Sequence, residues 1–278
     1  MDINMDKYKY IIAELNLPDT IAKCVSGEIR MPSAIFAHPL YWYGFPPALV
    51  PIWSKDSLPS YWGYWKHWFC DRQGSFIHTY IEDDRRVTEI ARTAEQFFLY
   101  SEIYLIVAYD NITTEIITFA EQVGISYLDQ LDSLTSDTGD DPKGFLALPQ
   151  FAQDPPLNCV QDVSLYPGDF PSGDFAAPSW IDRCCSFELP KELIEQWPEG
   201  MAMPPWLKPK EPKPALFKKY LSAGDLASAW LTLNSTGWWV SEARKALKKL
   251  KKAARDRLFS RMADAWLDVS SGHEDLYY

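Results

Sequence analysis

The sequence is poor in the residues that build most catalytic and metal centres. It holds only four His and five Cys among 278 residues. No C-x-x-C and no H-E-x-x-H occurs, so the common zinc spacings are absent. His67 and Cys70 lie three apart, which on a strand sends them to opposite faces. No G-x-S-x-G elbow and no glycine-rich phosphate loop is present, which removes the familiar hydrolase and nucleotide signatures. No run of about 18 apolar residues exists, so no membrane span is expected. The longest apolar passage, Ile103 to Tyr109, is too short. The first ten residues, MDINMDKYKY, lack a basic start followed by an apolar stretch, so they do not resemble a secretory signal. The Cys spacing shows no disulfide framework, and Cys184 and Cys185 are adjacent. These absences predict a cytoplasmic protein with reduced thiols, no metal and no cofactor.

Large rings are abundant instead. Aromatic residues make up 15% of the chain, with 12 Trp. Six rings fall within the nine residues YWGYWKHWF, Tyr61 to Phe69. As a strand, this stretch places Tyr61, Trp65 and His67 on one face and Trp62, Tyr64 and Trp68 on the other. Neither face is polar. Either both are covered, or one shows rings to solvent as a docking surface, where Trp and Tyr dominate binding energy.

Charge is uneven. Residues 1–200 carry 13 Lys and Arg against 30 Asp and Glu, a net of −17. Residues 201–278 carry 14 against 8, a net of +6. An acidic body repels nucleic acid and attracts basic partners. The stretch Ile81 to Arg86 concentrates Glu82, Asp83 and Asp84, a pattern more typical of a solvated turn than of a catalytic pair.

The order of patterns predicts an α+β fold: an antiparallel sheet flanked by helices, then a Pro-rich irregular segment, then a C-terminal helical region. Helical spacing opens the chain and stops before Pro18; a second short helix closes at Gly27. Three or four strands follow, with Asp71 to Gly74 as a hairpin turn. Thr93 and Gln96 then have capping-box spacing, and a further helix ends at Gly124. Fourteen of the 21 prolines lie between Pro142 and Pro214. The divisions expected are 1–135, a Pro-rich 136–213 draped over it and pinned by Trp180, Trp197 and Trp206, and 214–278. The stretch near 204–217 reads as a stiff extended linker. The chain from Ser241 to Asp268 reads as one long helix with an apolar stripe through Leu247, Leu250, Met262 and Trp266. Its basic side is expected to face the acidic body.

The stretches ALVPIWSKDSLPSYWGYWKHWF and SFIHTYIEDDRRVTEIARTAEQFFLY resemble the SUKH superfamily over roughly residues 5–130. Leu49 to Trp53, Tyr61 to Phe69, Ser75 to Ile81 and Ile90 to Leu99 resemble its successive strands and closing helix. The family's Gly-rich turn is replaced by Lys55 to Ser60, with Pro59 and no Gly. The resemblance implies a binding scaffold, not an enzyme, and many bacterial members are immunity proteins that block a toxin, often a nuclease. The expectation is therefore a non-enzymatic protein that binds a basic protein toxin. Trp62, Trp65, Trp68, Glu82, Asp83 and Asp84 are the candidate contacts, because they combine rings and carboxylates near the sheet. The alternatives are a regulatory scaffold, or a small-ligand protein using the aromatic sheet face.

Overall fold

A computed structural model describes residues 6–32, 36–37, 44–55, 59–81, 85–170 and 180–278. Glu82, Asp83 and Asp84 lie outside the described residues. Helices α1 (Asp6–Glu14) and α2 (Asp19–Val25) come first. A five-stranded antiparallel meander follows in sequence order: β1 (Phe36–Ala37), β2 (Leu49–Lys55), β3 (Ser60–Trp65), β4 (Ser75–Tyr80) and β5 (Val87–Ala91). The α+β architecture expected from the pattern is what the structure has.

Gly63 is needed at the centre of the sheet. A Cβ there would lie 2.4 Å from the Val50 carbonyl oxygen, so no side chain fits where β3 passes Pro51. Pro51 cannot donate to the ladder, and a register shift between Pro51 and Trp53 absorbs the irregularity.

Strand β3 ends at Trp65, four residues before the aromatic run does. Lys66 to Gly74 form an irregular loop in which Phe69 takes a left-handed φ of 66°. The expected tight hairpin at Asp71 to Gly74 is therefore a nine-residue connection, and His67 and Trp68 do not continue the strand alternation. Strand β5 went unrecognised because Val87 to Ala91 merges in sequence with the helix after it.

That helix, α3 (Ala94–Tyr109), begins with the predicted capping box. Thr93 Oγ1 accepts from the Gln96 amide at 3.2 Å, and Gln96 Oε1 accepts from the Thr93 amide at 3.3 Å. Helix α4 (Thr114–Val123) stops at Gly124, whose left-handed φ of 83° favours a residue without Cβ. Helix α5 (Leu128–Thr138) leads into the Pro-rich segment. This segment is a series of single turns rather than featureless coil, with α6 (Pro149–Gln153) and α7 (Lys191–Glu195) among short 3-10 turns.

Residues 204–217 are not an extended linker. They turn around buried Lys213, whose Nζ donates to the carbonyls of Trp206 (2.6 Å) and Lys208 (2.9 Å), inside the helix start of α8 (Lys213–Ser222). Helix α9 (Leu226–Leu233) packs back on α8.

The long C-terminal helix is two. Helix α10 (Val240–Ala254) ends at Arg255 with a left-handed φ of 52°, and Asp256 caps α11 (Arg257–Val269) by accepting from the Phe259 amide at 2.7 Å. The two fold back antiparallel. Arg244, early in α10, donates to the Leu267 carbonyl and to Ser270 Oγ, while Lys251 reaches Asp264 at 2.5 Å.

Both sheet faces are covered. On one face Phe97 of α3 stacks on Trp53 (5.1 Å) and on Phe76 (4.7 Å). On the other, Tyr61 meets Phe45 at 5.0 Å, Trp266 Nε1 donates to the Phe45 carbonyl at 2.9 Å, and Phe187 lies against Trp65. One hydrophobic core runs through the N-terminal helices, the sheet and the C-terminal helices. A smaller cluster around Trp206, Leu207 and Leu231 gathers the Pro-rich segment.

Candidate functional site

The rings singled out in the sequence are mostly interior. Trp62 is 1% exposed and Trp65 is fully covered. Trp62 is ringed by Phe36 (4.6 Å), Tyr100 (5.3 Å) and Tyr104 (5.3 Å). Trp68, on the loop after β3, is half-buried edge-on to Phe259 at 5.4 Å, with Lys66 Nζ 6.0 Å from its ring. Trp62 and Trp65 offer no ring to a partner in this arrangement, and Trp68 offers part of one.

His67 belongs to a sealed polar cluster. Its Nε2 lies 3.1 Å from Trp65 Nε1, 2.9 Å from Arg72 and 2.9 Å from Glu188 Oε1. The indole and guanidinium can only donate and the Glu188 carboxylate can only accept, so three groups compete for the single ring nitrogen Nε2, while Nδ1 has no hydrogen-bond partner. Burial and the Arg72 charge both lower the His67 pKa, against an opposing pull from Glu188. Arg72 reaches Glu188 Oε1 at 2.7 Å and donates to the Arg183 carbonyl at 2.7 Å. Burial pushes the Glu188 carboxyl up, but Arg72 and His67 together outweigh it and hold the group well below the usual carboxylate range. Glu188 Oε2 accepts from the Cys185 amide at 2.7 Å. The cluster fastens the turn Ser186–Glu188 over the Trp65 face of the sheet.

A second network fastens the other half of the Pro-rich segment to β5 and α3. Glu89 accepts from Tyr166 Oη (2.8 Å) and the Leu157 amide (3.1 Å), and burial raises its pKa to about 7. Arg92 donates to Asp154 at 2.6 Å. Gln96 Nε2 donates to the carbonyls of Gln150 and Asp154. Polar side chains therefore pin this segment as much as Trp does. Of the three expected pins, Trp206 is buried with its Nε1 on the Cys184 carbonyl (2.7 Å), while Trp180 and Trp197 are half-buried.

His67, Arg72, Glu89 and Glu188 are all buried. Burial pushes Cys70 up to about 11 and raises Cys184 and Cys185 further, so they remain thiols at neutral pH. His78 lies opposite Trp62 on β4, away from His67, and burial with the nearby Lys55 charge lowers it to about 3. Among the described residues no group of three or more His, Cys, Asp or Glu could hold a metal ion. Nor is any helix among them long and apolar enough to cross a membrane.

The exposed rings lie elsewhere. Trp239 is 51% exposed and Tyr277 45% exposed, and they meet edge-on at 5.4 Å. Their position follows from strand geometry. Residues 237–240 and 276–278 pair antiparallel, with Trp238 and Tyr278 exchanging both backbone hydrogen bonds at 2.8 and 3.0 Å. Successive side chains alternate sides, so Trp238 and Tyr278 enter the core and Trp239 and Tyr277 face out. Arg85 completes the patch. Its left-handed φ of 58° aims the guanidinium at the Tyr277 carbonyl (2.8 Å) and 5.8 Å from the Tyr277 ring. Glu274 and Asp275 are exposed beside Tyr277, and Arg85 directly follows Glu82, Asp83 and Asp84 in sequence.

The sequence reading missed this patch, although a signal was present. In an extended GWWV the two adjacent Trp must point to opposite sides, so one faces out unless both sides are covered. Compared with protein-family models, curated proteins and solved structures, the chain matches none.

Proposed function

We propose that this protein is a non-enzymatic, SUKH-like binding scaffold that blocks a basic protein toxin, a nuclease being the best fit to its charge. The observation that carries the reading is the Trp239–Tyr277 pair. It is an exposed aromatic couple close in sequence to the exposed Glu274 and Asp275, whereas most other rings among the described residues are interior, with Tyr10, Tyr80 and Tyr109 exposed singly. Rings of this kind supply affinity as interface anchors, while carboxylates steer a basic partner and set the encounter rate. The acidic stretch Glu82 to Asp84, which leads into Arg85, extends the same chemistry along the sequence. Blocking would work by occlusion and needs no chemistry from the scaffold.

The test is co-expression with a candidate toxin encoded beside the gene. Rescue of growth and a co-purifying complex are expected, both lost in Trp239→Ala/Tyr277→Ala while the fold melts normally. Absence of any rescued toxin overturns the immunity reading. Rescue that survives the double substitution moves the contact away from this patch.

A further inference from the structure

The proposed toxin surface is acidic, but the opposite sign dominates the flank formed by α8 and α10. The exposed residues of α10 include Lys245, Lys248, Lys249 and Lys252. They do not lie on the acidic body, as the sequence pattern suggests. Buried Ala243, Leu247 and Leu250 dock α10, with Arg244 and Lys251 bonding to α11 and the turn after it, while Lys245, Lys248, Lys249 and Lys252 face solvent.

One row of these lysines borders a groove. Helix α8 contributes Phe217, Lys218 and Leu221, and α10 contributes Lys245, Ala246 and Lys249. On each helix these residues recur three or four apart, so each presents one face along just over one turn, roughly 6 Å. Phe217, Leu221 and Ala246 make an apolar floor, and three lysines stand at its rim. Glu242 is the only acid lining it, at the N-terminal end of α10. Two helices side by side leave the seat into which a third packs ridge into groove.

We propose that the α8–α10 groove is a second docking site, taking an amphipathic helix with acidic flanks from a partner protein. Charge complementarity selects this occupant. Three ammonium groups around an apolar floor match a helix with apolar anchors at i and i+4 and carboxylates on both sides. Nucleic acid presents phosphates without apolar anchors and leaves the floor unused. This site is independent of the Trp239–Tyr277 patch and stands or falls separately.

The test uses the full chain and a fluorescein-labelled synthetic helix of Leu, Glu and Ala about four turns long, read by fluorescence anisotropy. Saturable binding is expected, weakening as salt screens the lysines. The triple substitution Lys218→Glu/Lys245→Glu/Lys249→Glu should weaken it tenfold or more, with an unchanged melting curve because these side chains are exposed. Leu221→Ser, which keeps every charge, should weaken it severalfold. The proposal is overturned if the acidic helix does not bind, or if the same helix with Lys in place of Glu binds equally. It is also overturned if Leu221→Ser has no effect, or if single-stranded DNA of equal charge binds as tightly.

Discussion

Two aromatic stretches of this protein obey the same local rule and end in opposite environments. In β3, Tyr61 to Trp65 alternate sides, and every side is roofed: α3 over Trp62, the Phe45 and Phe187 layers over Tyr61 and Trp65. In the paired stretches 237–240 and 276–278 the same alternation has a roof on one side only. Trp238 and Tyr278 are core, and Trp239 and Tyr277 are surface. Ring content alone therefore does not distinguish core from docking face. The number of layers packed on the strand does.

The sharpest way to break the comparison is to remove one ring from each stretch. Trp62→Ala should cost about 3–5 kcal/mol in urea unfolding, because it empties a fully packed site. Trp239→Ala should change stability by about 0.5 kcal/mol or less, because its ring is half in water. Equal costs would show that the two environments are not distinct.

The roof over Trp65 can be attacked next. Glu188→Gln leaves Arg72 buried with only Asp169, 4.0 Å away, as a counter-charge and should cost about 3 kcal/mol. Tryptophan emission should shift to the red as the turn at Ser186–Glu188 loosens. Unchanged stability and emission would mean that this ion pair does not hold the roof.

A smaller effect concerns the roof over Trp62. Glu102 is buried in α3 with neither carboxylate oxygen hydrogen-bonded, and burial raises its pKa from 4.5 to about 8. The folded state thus keeps a proton that the unfolded chain releases between these values, so raising the pH through this window favours unfolding. Glu102→Met should stabilise the protein by about 1–3 kcal/mol at pH 8, and flatten the fall in stability between pH 5 and 8. Glu89, raised to about 7, would leave a residual slope of the same sign. A variant with the wild-type slope would remove Glu102 from the account.

A smaller change again tests the start of α3. Thr93→Ala removes half of the capping box and should cost about 1 kcal/mol. A loss well below this would mean that packing against the sheet, not the cap, fixes where the roof begins.

These features differ in how readable they were in sequence. The box at Thr93 and Gln96 and the stop at Gly124 were legible because both satisfy backbone groups within a few residues. The break at Arg255 was not, because Ala254 and Leu258 keep helical spacing across it and so hide the fold-back of α11 on α10. The end of β3 at Trp65 was equally hidden, since nothing in KHWF opposes a strand. His67 leaves the strand to meet Arg72 and Glu188, the latter 121 residues away in sequence. Trp239 was legible in principle from its adjacency to Trp238, but Tyr277 becomes its partner only through long-range pairing.

By itself, then, the sequence determined the α+β class, the first helices, most of the meander and the capped helices that follow it. Those are set by period, caps and turns, which act over a few residues. Only the tertiary structure decided which rings are interior, where the long basic helix breaks, and how the Pro-rich segment is fastened. Each of those depends on contacts between residues far apart in the chain, and a local pattern carries no record of what packs on top of it.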